Sequence, residues 1–402
     1  VRSRGLGDVY KRQAWDELPV LPEGRIGIYV GSHTHFSEKQ NRAIDRFCAT
    51  YDAVVICDHT SGYYGKYKLL PTLVQLQSDI TSPFPPLDLM VHIGEISAAS
   101  FNDTIPAKEV WRVSEDGELR DPFKKLTTVF QMSEEMFFLH YGKDGCNRHV
   151  LIDECRELFG EIYEQIPELP FCNIWTAMQL SSRLPKGALF HMGVSNTRRC
   201  WNMFQLPESV ESACNVGCCG IDGCVSTLVG ASLVNPDRLC YVVVGDLTFF
   251  YDLNSLGNHH IGTNLRVMLV NNGRGTEFRL GIHHCNVFGD DADKYMAAAG
   301  HFGNKSPLLV KHYAEDLGFH YLSATTKEEF MTALSNFTNP QLSDHSMILE
   351  VFTDSKDESE ALYLMSHIQS DAKGMVRSKL KDAVRNVAGE KGINAIKKIL
   401  KK

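Results

Sequence analysis

The sequence predicts an α/β fold with two doubly wound parallel-sheet domains. Short apolar runs alternate with longer amphipathic stretches from Gly24 onward, which is the pattern of parallel strands joined by crossover helices. The same alternation returns in the second half of the chain. Between the two lies a stretch around Met132 to Leu184 whose periodicity is helical. Two α/β units joined by a helical connection are therefore expected.

The individual elements follow from this alternation. The first unit should begin with the strand RIGIYVG, because a continuous apolar run is typical of a buried parallel strand. The helix SEKQNRAIDRFCATY and the strands DAVVICD, LDLMVHIGE and KEVWRVS should follow, and the connection should contain helices over SEEMFFLHY and CRELFGEIYEQI. In the second unit the predicted strands are ALFHMG, LCYVVVGD, NLRVMLVNN and SMILEVF, and the predicted helices are GCVSTLVGASL, AEDLGFHYL and KEEFMTALSNF.

These elements divide the chain into five predicted segments. Residues 1–13 fit no periodic pattern, and we expect them to be a non-native or disordered start. A central α/β domain at 14–145, a helical connection at 146–185 and a second α/β domain at 186–356 follow. Residues 357–402 are predicted to form a basic helical tail.

The end of the chain has a charge balance of its own. Between Asp371 and Lys402 ten basic residues stand against three acidic ones, a balance of +7. Apolar residues recur there at nearly helical spacing, which predicts an amphipathic helix. Such a helix can contact an anionic membrane or a partner, but packing on its own protein is commoner and is what we expect.

Composition excludes several classes of function. The 402 residues are 43% hydrophobic, enough for a sizeable core, and the net charge of -8 provides no basic surface for nucleic acid. No apolar run reaches the ~18 residues of a membrane span. The twelve cysteines are spread through apolar segments, without the even framework of a small secreted domain. We therefore expect a reducing, cytoplasmic location and chemistry on a small molecule.

Polar residues follow two predicted strands of the second unit. Asp246 comes after Gly245, and Asn271 and Asn272 end the next apolar run. Because ligands of open α/β sheets bind beyond the carboxyl ends of the strands, these side chains are candidate ligand groups. A carboxylate, an amide oxygen and a carbonyl from the turn around Arg274 suit Mg²⁺ or Mn²⁺, and phosphate oxygens commonly complete the coordination of Mg²⁺. Asp246 alone could equally cap a helix.

A glycine-rich segment lies upstream of these strand ends. It reads GCCGIDGCVSTLVGAS and covers residues 217–232. Its glycines let the backbone approach a ligand just before a predicted helix, whose amino-terminal amides can face an anion. Together with the two strand ends, this turn predicts a metal-dependent site for a diphosphate.

Three segments together resemble the thiamine-diphosphate-dependent enzymes. GIDGCVST, GDLTFFYDLNSL and VNNGRGTEF are similar to the diphosphate-binding domain of the menaquinone-pathway synthases that form 2-succinyl-5-enolpyruvyl-6-hydroxy-3-cyclohexene-1-carboxylate. The similarity extends over nearly all of Gly24 to Asp354, and YVGSHTHFSEKQ, DLMVHIGE and EDGELRDP resemble the central domain of those synthases. The resemblance implies a transferase or lyase that decarboxylates a 2-oxo acid and adds the product to an acceptor, with thiamine diphosphate and Mg²⁺ as cofactors.

The resemblance also implies the roles of site residues. Asp246, the side chain of Asn272 and the carbonyl of Arg274 would bind the metal, and Ile221 would be the apolar buttress that bends the cofactor. The remaining cofactor-binding candidates are Gly220, Asp222, Gly223, Ser226, Gly245, Leu247, Thr248, Gly275 and Thr276. Asp252 and Asn254 are expected to cap and tie the helix that follows them.

The substrate positions depart from the family pattern. Val216 stands where the family has an arginine, and Glu277 stands where it has an isoleucine before Phe278. Arg198 and Arg199 lie near the stretch that supplies another family arginine, so these two arginines, Glu277 and Phe278 are the substrate-site candidates. An acid at position 277 should repel a carboxylate-rich substrate. A different acceptor, for example in surface-glycan metabolism, is therefore an alternative.

The activating glutamate of the family lies in a separate pyrimidine-binding domain. No segment of the sequence resembles that domain, so no catalytic residue is assigned, and the chain by itself is expected to be inactive. The resemblance implies that the domain is supplied in cis or in trans and that the protein is a homodimer or homotetramer. The other alternative is a non-catalytic protein that kept the fold and lost the chemistry.

Overall fold

The fold consists of two parallel β-sheets flanked by helices. A computed structural model describes residues 10–13, 17–80, 84–95, 105–217, 219–280, 283–291 and 306–370 of the chain. One sheet has seven strands and the other has six, and every pairing between neighbouring strands is parallel. The prediction of two doubly wound α/β domains is confirmed.

The first sheet is built from the amino-terminal part of the chain. Its strands are β1 (Tyr10–Gln13), β2 (Ile26–Val30), β3 (Val54–Cys57), β4 (Lys68–Leu69), β5 (Leu87–Ile93), β6 (Ala107–Val113) and β7 (Leu126–Gln131), in the spatial order β1-β7-β6-β5-β2-β3-β4. The helices α1 (Glu38–Tyr51), α2 (Thr72–Leu76) and α3 (Glu134–Tyr141) accompany it. Helix α1 begins where its sequence predicts, because Ser37 and Gln40 form a capping box.

The second sheet carries the predicted diphosphate site. Its strands are β8 (Leu189–Met192), β9 (Glu211–Cys214), β10 (Cys240–Gly245), β11 (Leu265–Asn271), β12 (His320–Ala324) and β13 (Met347–Phe352), in the order β12-β13-β11-β10-β8-β9. Helices α4 (Val150–Glu164) and α5 (Asn173–Leu180) connect the two sheets. The later helices are α6 (Asn196–Trp201), α7 (Cys224–Val234), α8 (Asp246–Asp252), α9 (Leu309–Asp316), α10 (Lys327–Phe337) and α11 (Ser355–Ser366). Short 3₁₀ helices cover Ser181–Arg183, Leu253–Gly257, Thr276–Arg279 and His284–Asp291.

Two sequence predictions differ from the structure. The segment AEDLGFHYL is not one helix, because α9 ends at Asp316 and Gly318, at a φ of 82°, turns the chain into strand β12. The start of the chain differs as well, since residues 10–13 form the edge strand β1 and pair with β7, although residues 1–13 were expected to lie outside the fold. Residues 1–9 lie outside the described part of the chain.

Helix α11 returns from the second sheet to the first domain. The Gln77 side chain donates to the carbonyls of Leu73 (3.0 Å) and Met365 (2.8 Å), and its oxygen accepts from the Ile368 amide at 3.0 Å. The amide of Ser78 donates to the Ser366 carbonyl at 2.8 Å. Residues 355–366, the larger part of which falls in the predicted tail, therefore belong to the packed fold. The basic stretch 371–402 lies outside the described residues.

Two structural features relate to the expected reducing location, namely the state of the cysteines and the lengths of the helices. All eleven cysteines that the structure describes are free thiols, and seven of them are buried. In the same part of the chain, no helix has the length and apolar character to cross a bilayer. Most of the thiols thus serve as small apolar core residues.

Candidate active site

The predicted metal-binding residues meet at the carboxyl edge of the second sheet. Strands β10 and β11 are neighbours, and Gly245 lies opposite Val270 in their register. Asp246 and Asn272 therefore follow the ends of adjacent parallel strands. Asp246 is buried at the first position of α8, where one carboxylate oxygen accepts from the Leu247 amide at 2.8 Å.

The two asparagines at the end of β11 have different environments. Asn271 is buried and donates from its amide to Glu350 Oε1 at 2.6 Å, and Tyr321 donates to the other oxygen of Glu350 at 2.8 Å. Burial raises the pKa of Glu350. Asn272 is half-buried, and its side-chain oxygen accepts from the Arg274 amide at 3.3 Å. The Asn271 side chain is thus already used in a hydrogen bond inside the sheet, so Asn272 is the candidate metal ligand.

The turn after Asn272 has the backbone shape that its glycines predict. Gly273 has a φ of 79°, in the left-handed region that favours glycine. Gly275 precedes the 3₁₀ helix that begins at Thr276. The Thr276 hydroxyl is buried and finds no hydrogen-bond partner among the residues that the structure describes. A buried hydroxyl without a partner in the described chain can donate to a bound ligand.

The glycine-rich turn leads into α7 as predicted. Gly223 occupies the cap position of α7 with a φ of 94° and offers no side chain to the first turn. The Ser226 amide in that turn donates to Asp252 Oδ2 at 2.7 Å, and the Ser226 hydroxyl donates to the Gly223 carbonyl at 3.2 Å. The expectation for Asp252 is therefore corrected. This carboxylate caps α7, which precedes it in the chain, because α7 packs against α8 and brings the two ends together. Asn254 is exposed.

The other cofactor-binding candidates lie around these three segments. Leu247 and Thr248 occupy the first turn of α8, and Thr248 is buried. Ile221 is half-buried and Asp222 is exposed in the turn before Gly223, while Gly220 lies so close to Asp222 that a side chain there would meet its carboxylate. The register of β10 and β11 and the Ser226 to Asp252 hydrogen bond bring the turn and both strand ends to one edge of the sheet.

The residues at this edge fit thiamine diphosphate and a divalent metal by type. The donor set combines a carboxylate, an amide oxygen and a turn carbonyl, which are ligands that Mg²⁺ accepts. A Cβ added to Gly245 would meet no atom of the described residues within 4 Å, so there is space beside the strand end. The buried hydroxyl of Thr276 supplies a donor that the described chain does not use.

Arg199 and Glu277 form a bidentate ion pair. Arg199 Nη1 donates to Glu277 Oε2 at 2.9 Å, and Arg199 Nη2 donates to Oε1 at 2.6 Å. Burial acts to lower the pKa of Arg199, but the hydrogen bonds to Glu277 raise that pKa above its ordinary value. Arg199 lies in the helix after β8, and Glu277 lies in the 3₁₀ helix after β11. Because β10 lies between β8 and β11, the ion pair spans the end of β10, which Asp246 follows. The charge of Glu277 is thus compensated, which the sequence did not predict.

Arg198 takes part in a different contact. Its Nη1 lies 3.2 Å from Asp58 Oδ2, and both side chains are nearly buried between the two domains. Asp58 also accepts from the Thr60 amide at 2.7 Å and from the Asn202 side chain at 3.4 Å. Of the substrate candidates whose side chains the structure describes, Arg198 contacts Asp58 of the first domain, whereas Arg199 contacts Glu277. These three residues therefore do not form one cluster. The side chain of Phe278 lies outside what the structure describes, and Val216 is buried.

Comparison with known proteins supports part of this interpretation. No family model matches the chain. Curated proteins named 2-succinyl-5-enolpyruvyl-6-hydroxy-3-cyclohexene-1-carboxylate synthase are similar to it. The protein of Bacteroides fragilis is 33% identical over 263 residues, which are 64% of this chain and 45% of the relative. That of Phocaeicola vulgatus is 32% identical over 265 residues, which are 64% of this chain and 44% of the relative. The chain is thus similar to these synthases over nearly two thirds of its own length while it spans less than half of theirs.

Proposed function

We propose that the chain carries the metal- and diphosphate-binding part of a thiamine-diphosphate-dependent synthase. The observation that carries the proposal is the placement of Asp246 and Asn272 at the ends of adjacent parallel strands beside a glycine turn, in a chain whose relatives are named as synthases. The proposed reaction is the decarboxylation of a 2-oxo acid and the addition of the remaining carbon unit to an acceptor, as in the menaquinone pathway.

Each element of the edge has a proposed role. Asp246, the Asn272 oxygen and the Arg274 carbonyl would hold Mg²⁺ or Mn²⁺, and the turn from Gly220 to Gly223 would lie along the diphosphate. Thiamine diphosphate, when bound, supplies the electron sink that decarboxylation needs. The protein's own contribution is to bind and orient it. The hydrogen bond from Asn271 to Glu350 serves that purpose by fixing the end of β11.

A pyrimidine-binding domain is the proposed partner. The relatives are more than twice as long as the segment they share with this chain, so they contain sequence that the similarity does not cover. We propose that a domain supplied in cis or in trans contributes the acid that activates the cofactor, within a homodimer or homotetramer. A reducing, cytoplasmic compartment is the proposed location, consistent with the free thiols of the described cysteines.

Cofactor binding tests the proposal directly. The full chain is titrated with thiamine diphosphate in the presence of Mg²⁺, and the melting temperature and the heat of binding are recorded, with EDTA as the metal-free control. We expect a metal-dependent stabilisation that Asp246→Ala abolishes. Asp237→Ala is the matched control, because Asp237 is exposed in the turn before the opposite end of β10. Equal binding by the Asp246→Ala variant and the parent would refute the assignment.

A second candidate function has its own observation. Val216 stands where the family has an arginine, and Glu277, which stands where the family has an isoleucine, is paired with Arg199. We therefore keep a thiamine-diphosphate-binding protein with a different acceptor, or without catalysis, as the alternative. Once a pyrimidine-binding domain is supplied, product formation with isochorismate favours the first candidate. Release of carbon dioxide from a 2-oxo acid without that product favours a different acceptor, and no turnover favours the non-catalytic protein.

A further inference from the structure

A cavity of about 820 Å³ lies between the two domains, apart from the strand ends of the predicted metal site. One wall consists mainly of residues at or beyond the carboxyl ends of β2, β3, β5, β6 and β7 of the first sheet. The other wall consists of Cys214 at the end of β9 and of Val216 and Gly217 beyond it. The volume lies within the range of small-molecule sites.

The topology of the first sheet explains why a cavity forms here. From β2 the chain builds β3 and β4 outward on one side, and then returns to place β5, β6 and β7 on the other side. The order thus reverses between β2 and β5, and backbone hydrogen bonds between Ser32 and Glu95 bridge the two strand ends at that point. In doubly wound sheets ligands bind at such a reversal, beyond the carboxyl ends of the strands. Ser32 and Glu95 follow β2 and β5 and line the cavity.

The lining carries more negative than positive charge. Its carboxylates are Glu95, Glu115, Asp116 and Glu134, and its basic side chains are Arg112 and His33. Arg120 is not part of the lining, but it contacts Glu95 and lies 3.4 Å from Asp116, so it offsets part of their charge. His33 Nε2 lies 3.2 Å from Glu134, so it offsets that carboxylate when it is protonated. Four carboxylates thus stand against two guanidinium groups and one histidine, and the net negative charge that remains disfavours the binding of an anionic ligand.

Arg112 is buried at the floor of the cavity and is loosely held. It is 1% exposed, and its guanidinium lies 3.5 Å from Glu95, 4.0 Å from Asp116 and 3.4 Å from the Gly94 carbonyl. Charge-assisted hydrogen bonds are normally about 2.7–2.9 Å long. The Nε atom has no partner in the part of the chain that the structure describes. A buried guanidinium with a free donor needs an oxygen acceptor from a ligand or water.

Hydroxyl side chains complete the wall. The cavity is lined by Ser32, Thr34, Thr60, Ser114, Ser133 and Ser212. A ligand that uses all of these groups accepts from Arg112 and also donates to carboxylates and serine oxygens. Alcohol groups do both, whereas a carboxylate or phosphate only accepts. We propose that the cavity binds a polyhydroxylated small molecule that is uncharged or bears an amine, and that it excludes the carboxylated equivalent.

The position of the cavity gives this ligand a place in the proposed reaction. Val216 and Gly217 lead directly into the glycine turn at Gly220, and β9 is the second neighbour of β10 in the sheet. As the acceptor, a ligand here would approach the diphosphate site from the first domain. This last step rests on the proposed function, but binding in the cavity does not.

Binding of three matched sugars tests the inference. The full chain, without thiamine diphosphate, is titrated with glucosamine, glucose and glucuronate at up to about 20 mM, and affinities are measured by ligand-observed NMR. The expected order is glucosamine, then glucose, then glucuronate, with glucuronate weaker than glucose by at least about fivefold, the effect of roughly one close charge pair. Equal or tighter binding of glucuronate would overturn the proposal, and so would the absence of binding by all three sugars.

Charge-neutral variants locate the binding. Glu115→Gln and the double variant Glu95→Gln/Glu115→Gln should each narrow the preference for glucosamine over glucuronate, by about fivefold per charge removed. Glu208→Gln is the control, because Glu208 lines a separate cavity. Melting curves confirm that each variant is folded, and the single variant serves if the double one is not. A preference unchanged in the folded variants would refute the site. Because no cofactor is present, these outcomes are separable from a failure of thiamine diphosphate to bind.

Discussion

The ion pair between Arg199 and Glu277 leads to a quantitative prediction. Both nitrogens of the guanidinium fork donate to the carboxylate, at 2.9 and 2.6 Å, and the two side chains are 24% and 20% exposed. Breaking a fully buried pair costs about 3–5 kcal/mol. Part of that cost comes from the charge left unpaired, and about a fifth of each side chain faces solvent, so we expect a smaller coupling free energy of about 2 kcal/mol.

A double-mutant cycle measures this coupling. The variants are Arg199→Met, Glu277→Gln and the double variant, and the free energy of unfolding of each comes from urea denaturation. The control cycle uses Arg238 and Glu211, which make a single 2.9 Å contact with 32% and 42% exposure. We expect the control coupling to stay below about 1 kcal/mol. If the cycle at Arg199 and Glu277 gives a coupling no larger than the control, the pair does not neutralise this edge as argued.

Three further predictions concern single residues. Burial raises the pKa of Glu358 to about 7, so the folded state favours its protonated form and loses stability as pH rises from about 4.5 through 7. Glu358→Gln should remove this loss, so that above pH 7 the free energy of unfolding of the variant exceeds that of the parent by up to about 3 kcal/mol. Urea unfolding at a series of pH values would detect this difference. Burial lowers the pKa of His59 to about 3, so its stabilising effect is complete above about pH 6.5 and is lost as pH falls towards 3. In His59→Gln the difference in unfolding free energy between pH 7 and pH 5 should shrink by about 2 kcal/mol, and an unchanged difference would contradict the assignment. Asp252→Ala removes the cap of α7, which should lower the free energy of unfolding by about 1 kcal/mol and speed hydrogen exchange at the Ser226 amide. Slow exchange at that amide in the variant would show that another group caps the helix.

The fold followed from the sequence wherever one local pattern decided the structure. The strands that end at Gly245 and Asn271 are continuous apolar runs, and burial on both faces of a parallel sheet requires that composition. The segment AEDLGFHYL was wrongly predicted as one helix because its apolar residues continue past the point where the helix ends. Gly318 stops the helix there through its backbone conformation, which apolar spacing does not encode.

The candidate site was predictable only in its separate parts. The glycine turn and the two strand ends carry recognisable residues, but the partners of those residues depend on the order of strands. Glu277 meets Arg199 because β8 and β11 both flank β10, and the sequence separation of 78 between the two residues gives no sign of this contact. Glu350 was missed for the same reason, since it lies on β13 and reaches Asn271 across the sheet. The cavity between the domains likewise arises from tertiary packing.

The return of helix α11 to the first domain has a consequence for folding. The hydrogen bond from Gln77 to the Met365 carbonyl joins positions 288 residues apart, so the contact forms only after a very long loop has closed. During synthesis the Gln77 side chain and the neighbouring surface of α2 stay exposed until α11, the last described helix, has left the ribosome and can pack against them. A chain cut before Ser355 would therefore leave two exposed faces, one on each domain. Such a fragment should aggregate even though both sheets are complete.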